Sequence, residues 1–582
     1  VYRGRRRVSP AVALLLASLG VLSGCTNAPP PPVVESTSST PTSEPPTEPP
    51  KPKVVVAGID ELRGGFNPHV LADQSPVTDA LSEIMLPSVF VPGEDGERVL
   101  NSTLMESAEV LEDTDEFTVR YRIRTGASWS DGPPIAAEDF VYLWEQLRRQ
   151  PGVINPVGYR LISDVESRQG GKTVRVTFEK PYPGWKSLFD HLLPAHLLKD
   201  APGGWSDTLD YGYPASGGPF AIRAFDLDRG EVVLMRNERY WGPPAESDRI
   251  VLRAADRSEN LNALRSGNVQ LGMFTADAST MEALRGLGED IQLTTMPRPV
   301  TSTLLLRPNS PQLSDVRVRR AVLAALDRQA LVEAGTGGGP AANLPAHAQV
   351  LAPSQPGYVP TEPSGEFADG PDPERVARLL TEAGYEHSGG KWIRDGAPLN
   401  LVIAAQFRET SYEAVANSVA DQLNAQDIST TVVTPKGDEL YRTMLATDPG
   451  VQDPPRSAGI DLAVAARPVS ADSAATMAAQ WGCPAVDPDT GRTSEFNMAG
   501  FCDQLLQPTI EAAVTGEVPF RRASERVEPT LWSGAVALPL YQEAQVLAVS
   551  REVSGVRDGA GFAGPFSSVG EWVGAPGESY DW

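Results

Sequence analysis

Five histidines and three cysteines are the side chains of this 582-residue chain whose chemistry is easiest to place. His69, His191, His196, His347 and His387 are scattered. Only His191 and His196 are near neighbours, and neither has a second ligand pair at zinc-site spacing, so no metal centre and no cofactor is expected. No His-Glu-x-x-His, Gly-x-Ser-x-Gly or Walker pattern occurs. Gly170-Gly171-Lys172-Thr173 lacks the upstream glycine of a phosphate loop and reads as a hairpin turn, and Gly335 to Gly339 lacks dinucleotide spacing. The carboxylates are abundant, but no pair of them stands apart. The residues therefore describe a binder with no catalytic set. With 75 Asp and Glu against 50 Lys and Arg, the net charge of −25 argues against nucleic acid, because holding phosphates needs a basic face.

The thiols remain. Arg3, Arg5, Arg6 and Arg7 precede an apolar run from Val12 to Leu22, which is shorter than the roughly 20 residues a membrane-spanning helix needs. The run ends in Leu22-Ser23-Gly24-Cys25. This is the anatomy of a bacterial lipoprotein signal: residues 1–24 are expected to be removed and Cys25 to carry the acyl chains that hold the protein at the outer face of the cell membrane. Residues 25–53, rich in Pro, Ser and Thr, cannot bury a core and read as an extended tether. Outside the cytoplasm spare thiols pair, so Cys483 and Cys502 are expected to form a disulfide.

These residues need a body to position them. From Val54 the composition becomes globular, and its length calls for more than one domain. Phe117, Val119, Tyr121 and Ile123 alternate with Thr118, Arg120, Arg122 and Arg124, which predicts a half-buried strand, and Thr173 to Phe178 repeats the pattern. Phe140, Trp144 and Leu147 recur at helical spacing. Asp372 as N-cap, Pro373 at the first position and Gly384 beyond the last turn predict a helix with Val376, Leu379 and Leu380 inward. The mixture favours a mixed α/β (α+β) body.

Several stretches together resemble the family 5 extracellular solute-binding proteins, the peptide- and nickel-binding components of ABC importers. They are Tyr121 to Phe140 with its Trp129-Ser130-Asp131-Gly132 turn, Leu193-Pro194-Ala195-His196, Ser216 to Phe220, Arg236 to Gly242, Leu264 to Gln270, Ser314 to Arg328, Leu379 to Tyr385 and Asp395 to Leu399. Each reads by itself as packing and turn chemistry; their order carries the resemblance. It implies a two-lobed periplasmic-binding-protein-like fold of type II, with the extra domain of the peptide-binding cluster. Lobe 1 would take residues 54–300 and the C-terminal return 521–582, and lobe 2 residues 301–520, closing over a ligand in between.

A narrower resemblance, in Gly65 to His69, the Trp144 helix, Pro151 to Val153, Pro181 to Trp185 and Trp481 to Pro484, is to mycobacterial envelope lipoproteins tied to phosphatidylinositol mannoside and lipoarabinomannan synthesis. The tryptophan of the segment that meets a peptide's ammonium group in peptide-binding members is missing from Gly459 to Asp472, and Arg467 stands there instead. Arg467 would suit a phosphate, or be a solvent-facing arginine. The resemblance implies a ligand site made by Phe66, Asn67 and His69 on one side and Arg467 and Trp481 on the other, with Tyr541 and Gln542 approaching it. Its ligand would be a glycolipid or another small molecule, its partner an ABC permease or a membrane enzyme of envelope synthesis, and the protein a monomer.

Overall fold

Two long antiparallel strands, Ile291–Leu306 and Ala537–Ser550, run through the middle of a ten-stranded mixed sheet. The computed structural model describes residues 51–63, 65–93, 97–364, 370–446, 459–486, 493–494, 497–559 and 564–574. Cys25, the expected export segment and most of the expected tether lie outside the described residues. Lys53, placed by its sequence in the tether, is already tied to the body: its backbone N–H donates to Asp248 and its carbonyl accepts from the Asp248 N–H. Residues from Lys51 onward form one compact unit.

On one side of the central pair lie Leu271–Phe274, Val54–Ile59, Arg249–Ala254, Glu231–Arg236 and Phe220–Asp226. On the other side lie Leu462–Pro468, Asn400–Ala405 and Ser429–Val433. The register of the central pair slips between Pro297 and Thr301. Prolines have no N–H to give a ladder, so Pro297-Arg298-Pro299 forces a bulge, and bulges re-aim the side chains they carry. The two halves of the sheet gather separate cores. Val55, Phe140, Trp144 and Phe178 belong to the first; Leu304, Val322, Val419 and Trp532 belong to another. The architecture is mixed α/β and two-lobed.

An antiparallel four-stranded sheet, Met105–Leu111, Thr118–Ile123, Thr173–Phe178 and Ile162–Arg168 in spatial order, adds a further layer to the first core. Val119, Tyr121 and Ile123 are buried as their alternation predicts, and Arg122 and Arg124 are exposed. Thr118, expected outward, is buried beside Thr177 of the neighbouring strand. The helix Ala137–Arg149 buries Phe140, Trp144 and Leu147. Asp139 in its first turn accepts from the N–H groups of Ala136 and Ala195 and from the Trp129 indole, which locks the Trp129 turn onto the helix. The Ser216 to Phe220 segment has a similar structural reason. A Cβ on Gly218 would stand 1.9 Å from the Ile84 carbonyl oxygen, so only glycine lets this turn close on the helix Pro76–Met85.

The helix Pro373–Glu382 forms as its ends predict, with the Asp372 side chain accepting from the Arg375 N–H and Gly384 at positive φ. The expected C-terminal return, residues 521–582, begins inside the helix Phe520–Gly534. The helix Phe520–Gly534 packs its Val527, Leu531 and Trp532 into second-lobe cores, and the chain re-enters the first half only along Ala537–Ser550. The last described segment then seats Trp572 in the first core, where its carbonyl accepts from Ser247. The disulfide Cys483–Cys502 is formed, as expected from its compartment. No described helix is long and apolar enough to cross a membrane.

Candidate ligand-binding cleft

A cavity of about 550 Å³ opens where the central strands pass between the two halves of the sheet. That size is within the range of small-ligand sites. The first half contributes Asp60, Glu61 and Arg63, just beyond the strand Val54–Ile59, and the turn Ala255 to Arg257 beyond Arg249–Ala254. The second half contributes Gly335 and the helix start Glu409 to Tyr412. The central strands add Arg298, Tyr541, Glu543 and Gln545. Ligand sites of open α/β sheets collect at strand ends in this way, because loops there can vary while the sheet holds still.

The lining is acidic. Asp60, Glu61, Asp256, Asp277, Glu409 and Glu543 outnumber Arg63, Arg257 and Arg298, and each of these arginines is already paired. Arg63 reaches Glu409 at 2.5 Å and Glu61 at 2.6 Å. Arg257 meets Asp277 at 2.5 Å. Arg298 is held by Glu543 at 2.7 Å and Asp79 at 2.9 Å. Burial raises the Asp60 carboxyl to about 6, against the Thr275 N–H that donates to it. Burial also raises Glu409, with Arg63 opposing. Tyr412 donates to Glu543 at 2.5 Å, and Tyr541 stands over Gly335, where a Cβ would lie 2.4 Å from the phenol oxygen. Enclosed carboxylates and paired guanidiniums of this kind can exchange hydrogen bonds with many hydroxyls at once.

Of the residues that sequence reasoning assigned to a ligand, Tyr541 lines this cavity and the others do not. Gln542, the next residue along the strand, faces the opposite way, since successive side chains alternate. Its amide is satisfied by Arg298 O, Ser354 Oγ and the Ser354 N–H. Arg467 does not face solvent. It is 2% exposed, donates to Thr303 Oγ1 at 3.0 Å and to Gln349 O at 2.6 Å, and lies over the Trp481 ring. The Trp481 indole donates to the same Gln349 carbonyl. Glu528 accepts from the N–H groups of Gln349 and Val350 and from Thr361. Burial lowers Arg467 to about 10, with Glu528 opposing. Arg467 and Trp481 thus hold the Gln349 segment inside the second lobe.

Phe66, Asn67 and His69 are likewise held within the first lobe. Phe66 packs edge-on to Phe225, and its carbonyl accepts from Tyr213. Asn67 accepts from the His69 N–H. The His69 ring bonds the His191 carbonyl and stacks on Trp205, and burial depresses its pKa to about 3. The residues missed by sequence reasoning are the charged ones: Asp60, Arg63, Arg298, Glu409 and Glu543. One signal was available, since an arginine between two prolines in an otherwise strand-like run marks a bulge.

Residues 100–461 match the model of the bacterial extracellular solute-binding proteins, family 5. The chain belongs to this family. A protein of Mycobacterium tuberculosis named as a probable monoacyl phosphatidylinositol tetramannoside-binding protein, LpqW, is 34% identical, the match covering 98% of each chain. The oligopeptide-binding protein OppA of Mycobacterium bovis is 29% identical over 62% of this chain and 60% of its own. Among solved structures, the periplasmic EDTA-binding protein EppA superposes with a TM-score of 0.71 at 25% identity, covering 91% of this chain and 98% of that one. The Bacillus subtilis oligopeptide-binding protein AppA, in complex with a nonapeptide, gives 0.70 at 16% identity over 90% and 100%. Family 5 members are extracytoplasmic binders of solutes.

Proposed function

We propose that this family 5 protein binds a mannosylated phosphoinositide glycolipid in the cleft between its lobes and supports lipoarabinomannan and cell-envelope synthesis. The observation that carries this reading is the end-to-end similarity to LpqW, at a level that the peptide-binding relative OppA does not reach. The cleft supports it chemically: carboxylates and paired guanidiniums suit the hydroxyls of a mannosyl headgroup, and the Tyr412 and Tyr541 rings suit its apolar faces. In this reading Cys25 carries the lipid anchor at the outer face of the cell membrane, and an envelope-synthesis membrane enzyme is the partner. The hinge lies on the strands Ile291–Leu306 and Ala537–Ser550.

A second reading has its own observation. The excess of carboxylates in the lining suits a cationic ligand such as a peptide ammonium group, delivered to an ABC permease. Mass spectrometry of lipids and peptides co-purified with the native protein, together with lipoglycan analysis of a deletion strain, separates the two. Phosphatidylinositol mannosides in the cleft and altered lipoarabinomannan are expected; peptides in the cleft and unchanged lipoarabinomannan would overturn the glycolipid reading.

A further inference from the structure

Beside the cleft lies a second, smaller cavity of about 180 Å³. Much of its lining is apolar: Pro76, Ala80, Met273, Met296, Pro565 and Phe566. Pro76, Met273, Arg298 and Gln545 border both cavities. The junction between the two compartments is therefore made by the central strands, where Met296 pairs with Gln545 and Arg298 bonds Glu543.

Two polar atoms at this junction have no partner among the described residues. Gln545 is 5% exposed, and its amide nitrogen Nε2 has no acceptor. The Nε of Arg298 is also buried without one, although its terminal nitrogens are held by Asp79 and Glu543. A buried donor left unmet is costly, and an acceptor atom of a ligand at the junction would meet both. The terminal torsion of a glutamine is soft, so a small turn presents the amide to either compartment.

We infer that the two cavities form one path for a single-chain amphiphile. The polyhydroxylated headgroup occupies the larger, acidic compartment. The first segment of one acyl chain occupies the smaller one. An ester or phosphodiester oxygen between them accepts from Gln545 Nε2 and Arg298 Nε. The smaller cavity has about a third of the volume of the larger, so it takes part of one chain while the larger takes the headgroup. The inference rests on the glycolipid reading for the identity of the headgroup, while the path itself asks only for a polar head, an oxygen linkage and one chain.

The test is calorimetric titration of the mature protein with three probes: a single-chain phosphatidylinositol mannoside, its fully deacylated headgroup, and lysophosphatidylinositol. The wild-type protein is expected to bind the acylated mannoside at least ten-fold more tightly than the deacylated one. Ala80→Leu, which fills the smaller cavity, removes that advantage and leaves the deacylated probe unaffected. Gln545→Met keeps the shape and deletes the donor. It weakens the acylated mannoside several-fold without lowering Tm, because it also removes an unmet buried group. Loss of the deacylated probe in Gln545→Met as well assigns the acceptor to the phosphodiester; loss of the acylated probe alone assigns it to the ester. Equal affinity for acylated and deacylated mannosides, unchanged in Gln545→Met, overturns the path and leaves the headgroup reading intact. Binding of lysophosphatidylinositol alone, sensitive to Ala80→Leu, overturns the headgroup reading and keeps the path. No binding of any probe overturns both.

Discussion

Arg63 and Glu409 join the two walls of the cleft directly, with the guanidinium Nη1 2.5 Å from the carboxylate Oε1. Arg63 follows the first strand of the first half, and Glu409 precedes the helix Thr410–Asn424 of the second. A second bond runs from Arg63 to the Arg408 carbonyl at 2.6 Å. The pair therefore acts across the line along which the lobes would part.

Breaking this contact should favour the open form. Both side chains keep over a quarter of their exposure, so the pair is worth no more than about 1 kcal/mol, or about five-fold in an open-to-closed ratio. Glu409→Gln should increase the radius of gyration of the ligand-free protein in small-angle scattering, with no change in Tm beyond a few degrees. An unchanged radius would mean that the lobes are held by other contacts, such as the 2.6 Å bond from Tyr182 to Asp472.

Arg467→Ala should destabilise the second lobe and leave the cleft lining intact. The substitution removes both donors to Thr303 and Gln349 and leaves Glu528 without its buried counter-charge, a loss of about 3 kcal/mol or more. Denaturant unfolding checks it. A variant of native stability with impaired ligand capture would restore Arg467 to the ligand.

Asp73 should make stability fall as pH rises. Burial, with Asp438 and Asp210 adding to it, raises its carboxyl to about 7 against the Asn67 N–H and Arg442. The folded chain thus holds a proton that the unfolded chain releases near pH 4, and this contribution is full below pH 4 and lost as pH climbs to about 7. His69, depressed to about 3, has the opposite slope between pH 3 and 6.5, so the single variant is the clean measurement. Asp73→Asn should match the wild type in thermal melts at pH 4 and exceed it at pH 8.

Reducing Cys483–Cys502 should cost ~2–4 kcal/mol, the amount expected for a loop of this length. Intact mass before and after alkylation reports the bridge, and a melt in reductant reports its worth. Two thiols alkylated without reductant would contradict the pairing.

On the proposal that Cys25 carries the lipid anchor, Cys25→Ala should move the body from membranes to the soluble fraction, since the apolar run Val12 to Leu22 is shorter than a membrane-spanning helix. Fractionation of expressing cells measures it. An unprocessed, unmodified Cys25 in mass spectra of the native protein would end the idea.

Much of the fold was legible because its signals are local. The Asp372–Pro373 start and Gly384 stop announce a helix from within a dozen residues, and Val119, Tyr121 and Ile123 announce a strand face by alternation alone. The site was less legible because its charges are assembled from segments hundreds of residues apart, such as Arg63 with Glu409 and Arg298 with Asp79. Arg467 shows the same gap from the other side. A lone arginine ending an alanine-rich strand looks like a surface or ligand residue until Gln349 and Glu528, brought in by other elements, are seen to enclose it.

The strand Ala537–Ser550 lies between Leu271–Phe274 and Ile291–Leu306, although those two are made more than two hundred residues earlier. As the chain leaves the ribosome or an export channel, each half of the sheet therefore ends in an open, apolar edge until its last strand emerges. Such edges invite pairing with other chains. Synthesis order and sheet order thus conflict at the centre of the sheet. A chain stopped short of residue 537 leaves two unjoined half-sheets, and whatever escorts the full chain outward must keep it apart from its copies for nearly its whole length.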